Sequence, residues 1–248
     1  MNKTAPAGAD AARRLTAVEL AAMIDVSAVQ AFNSEQDIHE LAQIAVRRGF
    51  VMAHALPHFV PLLRSLIPRG GRTKVGGPIG FPSGGHTTAM KIVEAQELVR
   101  FGVEEIDLMM NIGRLKSGDV GYVQHEVASV VKAVAPIPLK VIIEEGRLTD
   151  DEVRKACDAV VSGGAAFVKT GTGWTSTPAT VERVALIART VQGAVQIKAS
   201  GGIRDLDTIC QMVALGVTRF GVNAHVAVEL VERCAALPEG GPVIPTTL

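Results

Sequence analysis

Aromatic residues are scarce: one tryptophan, one tyrosine and seven phenylalanines, 4% of 248 residues. Nucleic-acid binding by base stacking needs repeated aromatic platforms, so that class is excluded. An excess of one charge sign is missing too, because 25 Lys and Arg balance 25 Asp and Glu. Neither a phosphate backbone nor an anionic membrane would meet an electrostatic footprint. The three cysteines, Cys157, Cys210 and Cys234, show no C-x-x-C spacing. That excludes a disulfide framework and a structural zinc site, and it points to a reducing compartment. No apolar run approaches the ~18 residues that span a bilayer. Met1 to Asp10 lacks the apolar stretch of a secretory signal and reads as a flexible tail. The expectation is a soluble, cytoplasmic protein with no nucleic-acid or membrane partner.

Glycine is abundant at 25 residues, and hydrophobic residues reach 48% against 20% charged. Such a chain is not disordered, and its length suits one (β/α)₈ barrel. Short β-rich runs alternate with longer amphipathic ones. Strands are expected at Met23–Ser27, Phe50–His54, Lys74–Gly80, Glu105–Met110, Leu139–Glu144, Ala166–Thr170, Val195–Ala199 and Thr218–Val222. The clearest helices are Glu35–Arg48, Thr87–Phe101, Gly121–Val134, Thr149–Ser162, Pro178–Val191 and Leu206–Leu215. An extra N-terminal helix from Ala11 to Ala22 would close the bottom of the barrel. The reading is therefore a single α/β barrel domain over residues 11–238, with a C-terminal tail over 239–248. An open doubly wound sheet is the competing architecture, but no G-x-G-x-x-G opens a helix after the first strand.

Parallel strands covered by helices normally read as continuous apolar runs. Four of these strands carry charges instead: Glu105 and Asp107, Lys140 and Glu144, Lys169, and Lys198. Side chains alternate between the two faces of a strand. If Ile106, Leu108, Val168 and Ile197 face the helices, the charged residues face the barrel interior, where they survive only as a paired network. Lys169 and Lys198 fall at C-terminal strand ends, the face where barrel enzymes place their chemistry. An ammonium crowded by a second ammonium and partly desolvated loses its proton more easily, and the free amine can condense with a carbonyl.

The histidines give no metal-ligand pattern: Pro57 interrupts the helix that His54 and His58 would need, and there is no H-E-x-x-H. His39 and His125 fall on outer helices, whereas His54 and His86 could reach the barrel mouth. A zinc centre is accordingly disfavoured, and neither metal nor other cofactor is expected.

Six motifs occur in order along the chain: Gly80-Phe81-Pro82-Ser83-Gly84 with Lys91 and Glu94, Glu105-Ile106-Asp107, Leu139 to Glu144, Phe167-Val168-Lys169-Thr170, Lys198-Ala199-Ser200-Gly201-Gly202-Ile203-Arg204, and Arg219-Phe220-Gly221. In this series the chain resembles the deoxyribose-phosphate aldolases, class I aldolases built on a (β/α)₈ barrel. The resemblance runs from about Met23 to Ala235. It implies reversible cleavage of 2-deoxyribose 5-phosphate to acetaldehyde and glyceraldehyde 3-phosphate through a lysine Schiff base, in deoxyribonucleotide and carbohydrate catabolism. Carried over, Lys169 is the Schiff-base lysine, Lys198 the lysine that tunes it, and Asp107 the acid of the proton relay. Lys140, Glu105 and Glu144 form the supporting network. The implied substrate and phosphate contacts are Ser27 and Thr170, then Gly173, Gly201, Gly202 and Arg204, then Gly221 and Asn223, with Gly201 to Arg204 opening the helix after the seventh strand. The family is often dimeric, so a homodimer is a further implication.

The sequence departs from the family at the phosphate end. Gly221-Val222-Asn223-Ala224 replaces the usual Gly, small residue and two serines, and Trp174 follows Thr170-Gly171-Thr172-Gly173. Asp25-Val26-Ser27 and His54-Ala55-Leu56-Pro57 replace the family's Asp-x-Thr and Cys/Asn-Pro stretches. Weaker phosphate binding or a different acceptor aldehyde is one alternative; a catalytically idle sugar-phosphate-binding barrel is the other.

Overall fold

The chain in its computed structural model is described over residues 13–246. The tail expected at 1–10 lies outside the described residues. Eight parallel strands close into a barrel in chain order: β1 (Ile24–Ala28), β2 (Met52–Ala55), β3 (Lys74–Ile79), β4 (Glu105–Met109), β5 (Leu139–Ile142), β6 (Phe167–Lys169), β7 (Gln196–Ser200) and β8 (Val217–Asn223), with β8 pairing back on β1. A closed barrel leaves no sheet edge, which excludes the doubly wound alternative.

Helices α1 (Ala17–Ala22), α2 (Glu35–Arg48), α3 (Val60–Leu66), α4 (Thr88–Phe101), α5 (Ile112–Lys116), α6 (Val120–Val134), α7 (Asp150–Ser162), α8 (Val181–Val191), α9 (Leu206–Ala214) and α10 (Ala224–Ala236) surround it. Their boundaries follow local chemistry. Thr16, Ser34 and Thr149 each form a capping box with the acidic residue three positions on, and Gly49 and Gly102 end α2 and α4 in the left-handed conformation. The expected N-terminal helix is present as α1, which packs on α10 and leads into the N-terminal end of β1. Three helices, α3, α5 and α10, add to the six expected. Proline in its first turn makes α3 hard to see, and α5 is only five residues long. Beyond α10 the chain returns to the start: Val243 bridges Arg14, and Ile244 is buried.

The apolar core lies between strands and helices, where Val26, Val75, Ile106, Leu108, Val141, Val168 and Ile197 are buried. Ile106, Leu108, Val168 and Ile197 are thus committed to that layer, and the residues alternating with them point into the barrel.

Candidate active site

The parallel register sets charged residues side by side: Asp107 lies opposite Lys140, and Lys169 opposite Lys198. Both lysines of the second pair reach one atom. Lys169 Nζ donates to Asp107 Oδ2 at 2.8 Å and Lys198 Nζ to the same oxygen at 2.9 Å. Lys140 Nζ holds the other oxygen, Oδ1, at 3.2 Å. Lys198 is shared with Asp25 Oδ2 at 2.6 Å, and Arg219 joins Asp25 at 2.7 Å to Glu105 at 3.2 Å. Lys140 also pairs with Glu105, and Phe167 presents its ring to Lys140 and Arg219 at 5.5 and 5.6 Å. Bare backbone at Gly221 makes room for Lys198: a Cβ there would lie 3.2 Å from Lys198 Cε and 2.8 Å from Ser200 Cβ.

This crowding sorts the protonation states. Burial, reinforced by the Lys198 and Lys140 ammoniums and opposed by Asp107, brings the Lys169 ammonium down to about 8. Against the cost of burial, the Lys140, Lys169 and Lys198 ammoniums hold the Asp107 carboxyl well below the usual carboxylate range. Asp25 is also held well below the usual carboxylate range, its burial outweighed by Lys198, Lys140 and Arg219 together with His54. Lys140 moves up, because Asp107, Asp25 and Glu105 overcome its burial. The site therefore offers one amine that is partly neutral near physiological pH, beside fixed anions and cations.

A cavity of about 250 Å³ opens above the cluster, and Lys169, Lys198, Asp107 and Asp25 form its floor. Ser27, Gly173, Gly201, Gly202, Arg204, Gly221 and Asn223 line it. Thr170 does not. Its hydroxyl is buried between strands, donating to the Ser200 carbonyl and accepting from the Ser200 N–H, so it clasps β6 to β7. Glu144 also departs from expectation. β5 ends at Ile142, and Glu144 takes a left-handed φ of 49° that carries its carboxylate to the Thr172 N–H and hydroxyl. It braces the loop after β6 instead of joining the interior network.

Gly201 to Arg204 does not open a helix either. Gly201 and Gly202 have φ of 102° and 72°, outside the right-handed helical range, and α9 begins only at Leu206 with Asp205 capping Thr208. The helix start facing the cavity is that of α10, where Asn223 and Val226 line the wall and Asn223 Oδ1 accepts from the Val226 N–H. Trp174 meets Phe81 edge-on at 5.6 Å, with Phe81 in the cavity wall. His86 is exposed on the loop before α4.

Three members of the cluster escaped the expected interior set: Asp25, Arg219 and His54. Asp25 and Arg219 stood in recognised motifs, and alternation between buried Ile24 and Val26, or beside buried Phe220, would have turned both inward. His54 is buried, with Nε2 at 3.5 Å from Asp25 and 3.8 Å from Asp107.

No family model matches the chain. Among curated proteins, the deoxyribose-phosphate aldolase of Sinorhizobium medicae is 66% identical over 220 residues, covering 89% of each chain. That of Klebsiella pneumoniae is 40% identical over 237 residues, 95% of each. Among solved structures, the tetrameric deoxyribose phosphate aldolase of Aeropyrum pernix superposes with a TM-score of 0.78 at 28% identity, covering 89% of this chain and 93% of its own.

Proposed function

The chain belongs to the deoxyribose-phosphate aldolase family, and on that premise we propose that it is a class I aldolase cleaving 2-deoxy-D-ribose 5-phosphate to acetaldehyde and D-glyceraldehyde 3-phosphate. The observation that carries this reading is the pair of ammoniums, Lys169 and Lys198, on one oxygen of Asp107 at the cavity floor.

Lys169 is the Schiff-base residue. Its amine adds to the C1 aldehyde and water leaves, so C1 becomes an iminium. The iminium accepts the electron pair of the C2–C3 bond, and an enamine forms in place of a free carbanion. Asp107, anchored by Lys140, holds Lys169 and Lys198 in register and stabilises the cationic intermediate. With Lys198 it frames the path along which protons move. The electron sink is the iminium itself.

The phosphate is read where Gly173, Gly201, Gly202 and Arg204 line the cavity together with Asn223 and Val226 at the start of α10. A helix N-terminus with free N–H groups and a positive dipole end suits an anion. These backbone donors stand in for hydroxyls that Val222-Asn223-Ala224 lacks. Three buried, free cysteines fit a reducing cytoplasm, and among the described residues no helix is long and apolar enough to cross a membrane. Dimerisation is the assembly the family resemblance favours, and sedimentation equilibrium tests it.

Borohydride reduction in the presence of acetaldehyde tests the chemistry. A stable two-carbon adduct is expected on Lys169 and is expected to vanish in Lys169→Leu. A protein that yields no adduct is the idle sugar-phosphate-binding barrel instead.

A further inference from the structure

We propose that Phe81 and Trp174 form an aromatic arch across the barrel mouth that decides which acceptor aldehydes fit. Phe81 is the wall that meets the acceptor, and Trp174 is the positioning residue that holds this wall in place. The proposal rests on the aldolase reading above and adds the element that selects the acceptor.

The two residues come from loops three strands apart. Phe81 follows β3 and Trp174 follows β6, so their edge-on contact at 5.6 Å spans the ends of β4 and β5. The cavity lies to one side of this span. Above the floor, its walls come from the loops after β1, β7 and β8, together with Phe81, Thr172 and Gly173 from the two loops that the arch joins. Among the described residues, none from the loops after β4 or β5 lines it.

Both ends of the arch are tied down. Trp174 donates its N–H to the Thr172 hydroxyl at 3.0 Å, and that hydroxyl donates to the buried Glu144 carboxylate at 2.5 Å. The Thr172 N–H adds a further bond to Glu144 at 3.3 Å. On the other side, Phe81 sits in a turn closed by the Gly84 N–H on the Gly80 carbonyl at 2.8 Å. Glu94 accepts from the Gly80 N–H at 2.6 Å, and a Cβ on Gly84 would lie 2.0 Å from the Met110 carbonyl oxygen. The buried Lys91 stem packs on Gly80, while its Nζ pairs with Glu126 at 2.9 Å and donates to the Met109 carbonyl at 2.8 Å. Lys91 and Glu94 of the β3 motif thus act on the turn that carries Phe81.

An anchored wall selects by shape. At about 250 Å³ the cavity is smaller than most ligand pockets, which run to roughly 300–1,000 Å³, so each wall residue limits what Lys169 can hold. A slender acceptor such as glyceraldehyde can extend toward Gly201, Gly202 and Arg204. An acceptor with a ring beside its carbonyl needs breadth as well as length, and the Phe81 side denies it that breadth.

Acceptor choice is read in the addition direction, with acetaldehyde as donor and D-glyceraldehyde or benzaldehyde as acceptor. Neither acceptor carries phosphate, so the phosphate contacts do not enter. In Phe81→Ala and Trp174→Ala, the ratio of kcat/KM for benzaldehyde over D-glyceraldehyde is expected to rise roughly 10-fold or more. Borohydride trapping with acetaldehyde should stay at the wild-type level, because neither residue belongs to the ion cluster at the floor. Trp174 is 38% exposed, so its removal leaves the apolar core intact. It is also the only tryptophan, and its emission should shift to the red in Phe81→Ala as the indole loses its cover. An unchanged ratio in Trp174→Ala that still traps would overturn the proposal, as would an unchanged emission maximum in Phe81→Ala. Loss of trapping in Trp174→Ala would overturn it too, since the pair would then support the catalytic cluster. A wild-type protein that neither traps nor adds would instead refute the aldolase reading itself.

Discussion

Arg204 lines the cavity together with the two left-handed glycines Gly201 and Gly202 and with Asn223 and Val226 at the start of α10. It takes no part in the ion cluster at the floor, so its charge is free to act on substrate. The 5-phosphate is the dianionic part of the sugar, and charge-assisted hydrogen bonds to such groups contribute about 1.5–3 kcal/mol each. Arg204→Gln is therefore expected to lower kcat/KM for deoxyribose 5-phosphate by roughly 10–100-fold. The same variant should leave kcat/KM for unphosphorylated deoxyribose unchanged. Equal losses on both sugars would show that Arg204 acts on the loop and not on the phosphate. Parent kcat/KM values for the two sugars that differ little would mean that replacing the serine hydroxyls has already removed the phosphate preference.

Strands β6, β7 and β8 act together to set the basicity of Lys169. The register of β6 on β7 brings Lys198 beside Lys169, and Gly221 on β8 leaves the gap through which the Lys198 stem passes. In Gly221→Ala the added methyl would press on Ser200 and on that stem. Lys198 would have to shift, and with it one of the cations that keeps Lys169 low. The rate of imine trapping in the parent is expected to rise with pH through about 8. In Gly221→Ala that midpoint should move upward, and an unchanged profile would mean that Lys198 does not tune Lys169.

Alternation made this much legible from the sequence. Once Val168 and Ile197 are assigned to the helix-facing layer, period two sends Lys169 and Lys198 inward whatever the details of packing. The same rule misplaced Glu144, because strand geometry stops at Ile142 and a left-handed backbone turn follows. It also could not separate Thr170, which ties two strands together, from neighbours that line the cavity. Turn conformations decided these cases, and Gly201-Gly202 shows why: the pair reads equally well as a helix start or as a loop until its φ angles are known. His54 remained open because its neighbours Ala53 and Ala55 fit either face of a strand.

At the scale of the whole molecule, the barrel interior is unbalanced. Asp25, Glu105 and Asp107 face Lys140, Lys169, Lys198 and Arg219, three carboxylates against four cations, with Lys74 touching Glu105 only from a more exposed position. Losing the proton from Lys169 restores the balance, in the same direction as the burial that, with the Lys198 and Lys140 ammoniums, brings this lysine down to about 8. The sign of the linkage is definite. Lys169 has a lower pKa folded than unfolded, so at pH 7 its charged form opposes folding. That opposition fades as pH rises from about 8 toward the ordinary lysine value of 10.5. The drop corresponds to about 3 kcal/mol when both states are protonated. Lys169→Leu, in which no imine is expected to form, should therefore raise the melting temperature at pH 7 by on the order of 5–10 °C. The gain should shrink as the measurement moves to pH 10. The carboxylates act in the opposite direction: Asp25 and Asp107 sit well below their ordinary values, so their stabilisation is full at neutral pH and is lost on acidification through their folded pKa values. A Lys169→Leu protein that melts below the parent at pH 7, or whose offset does not change with pH, would show that the fourth cation is compensated elsewhere. Burial alone would then be left as the source of the low basicity on which imine formation depends.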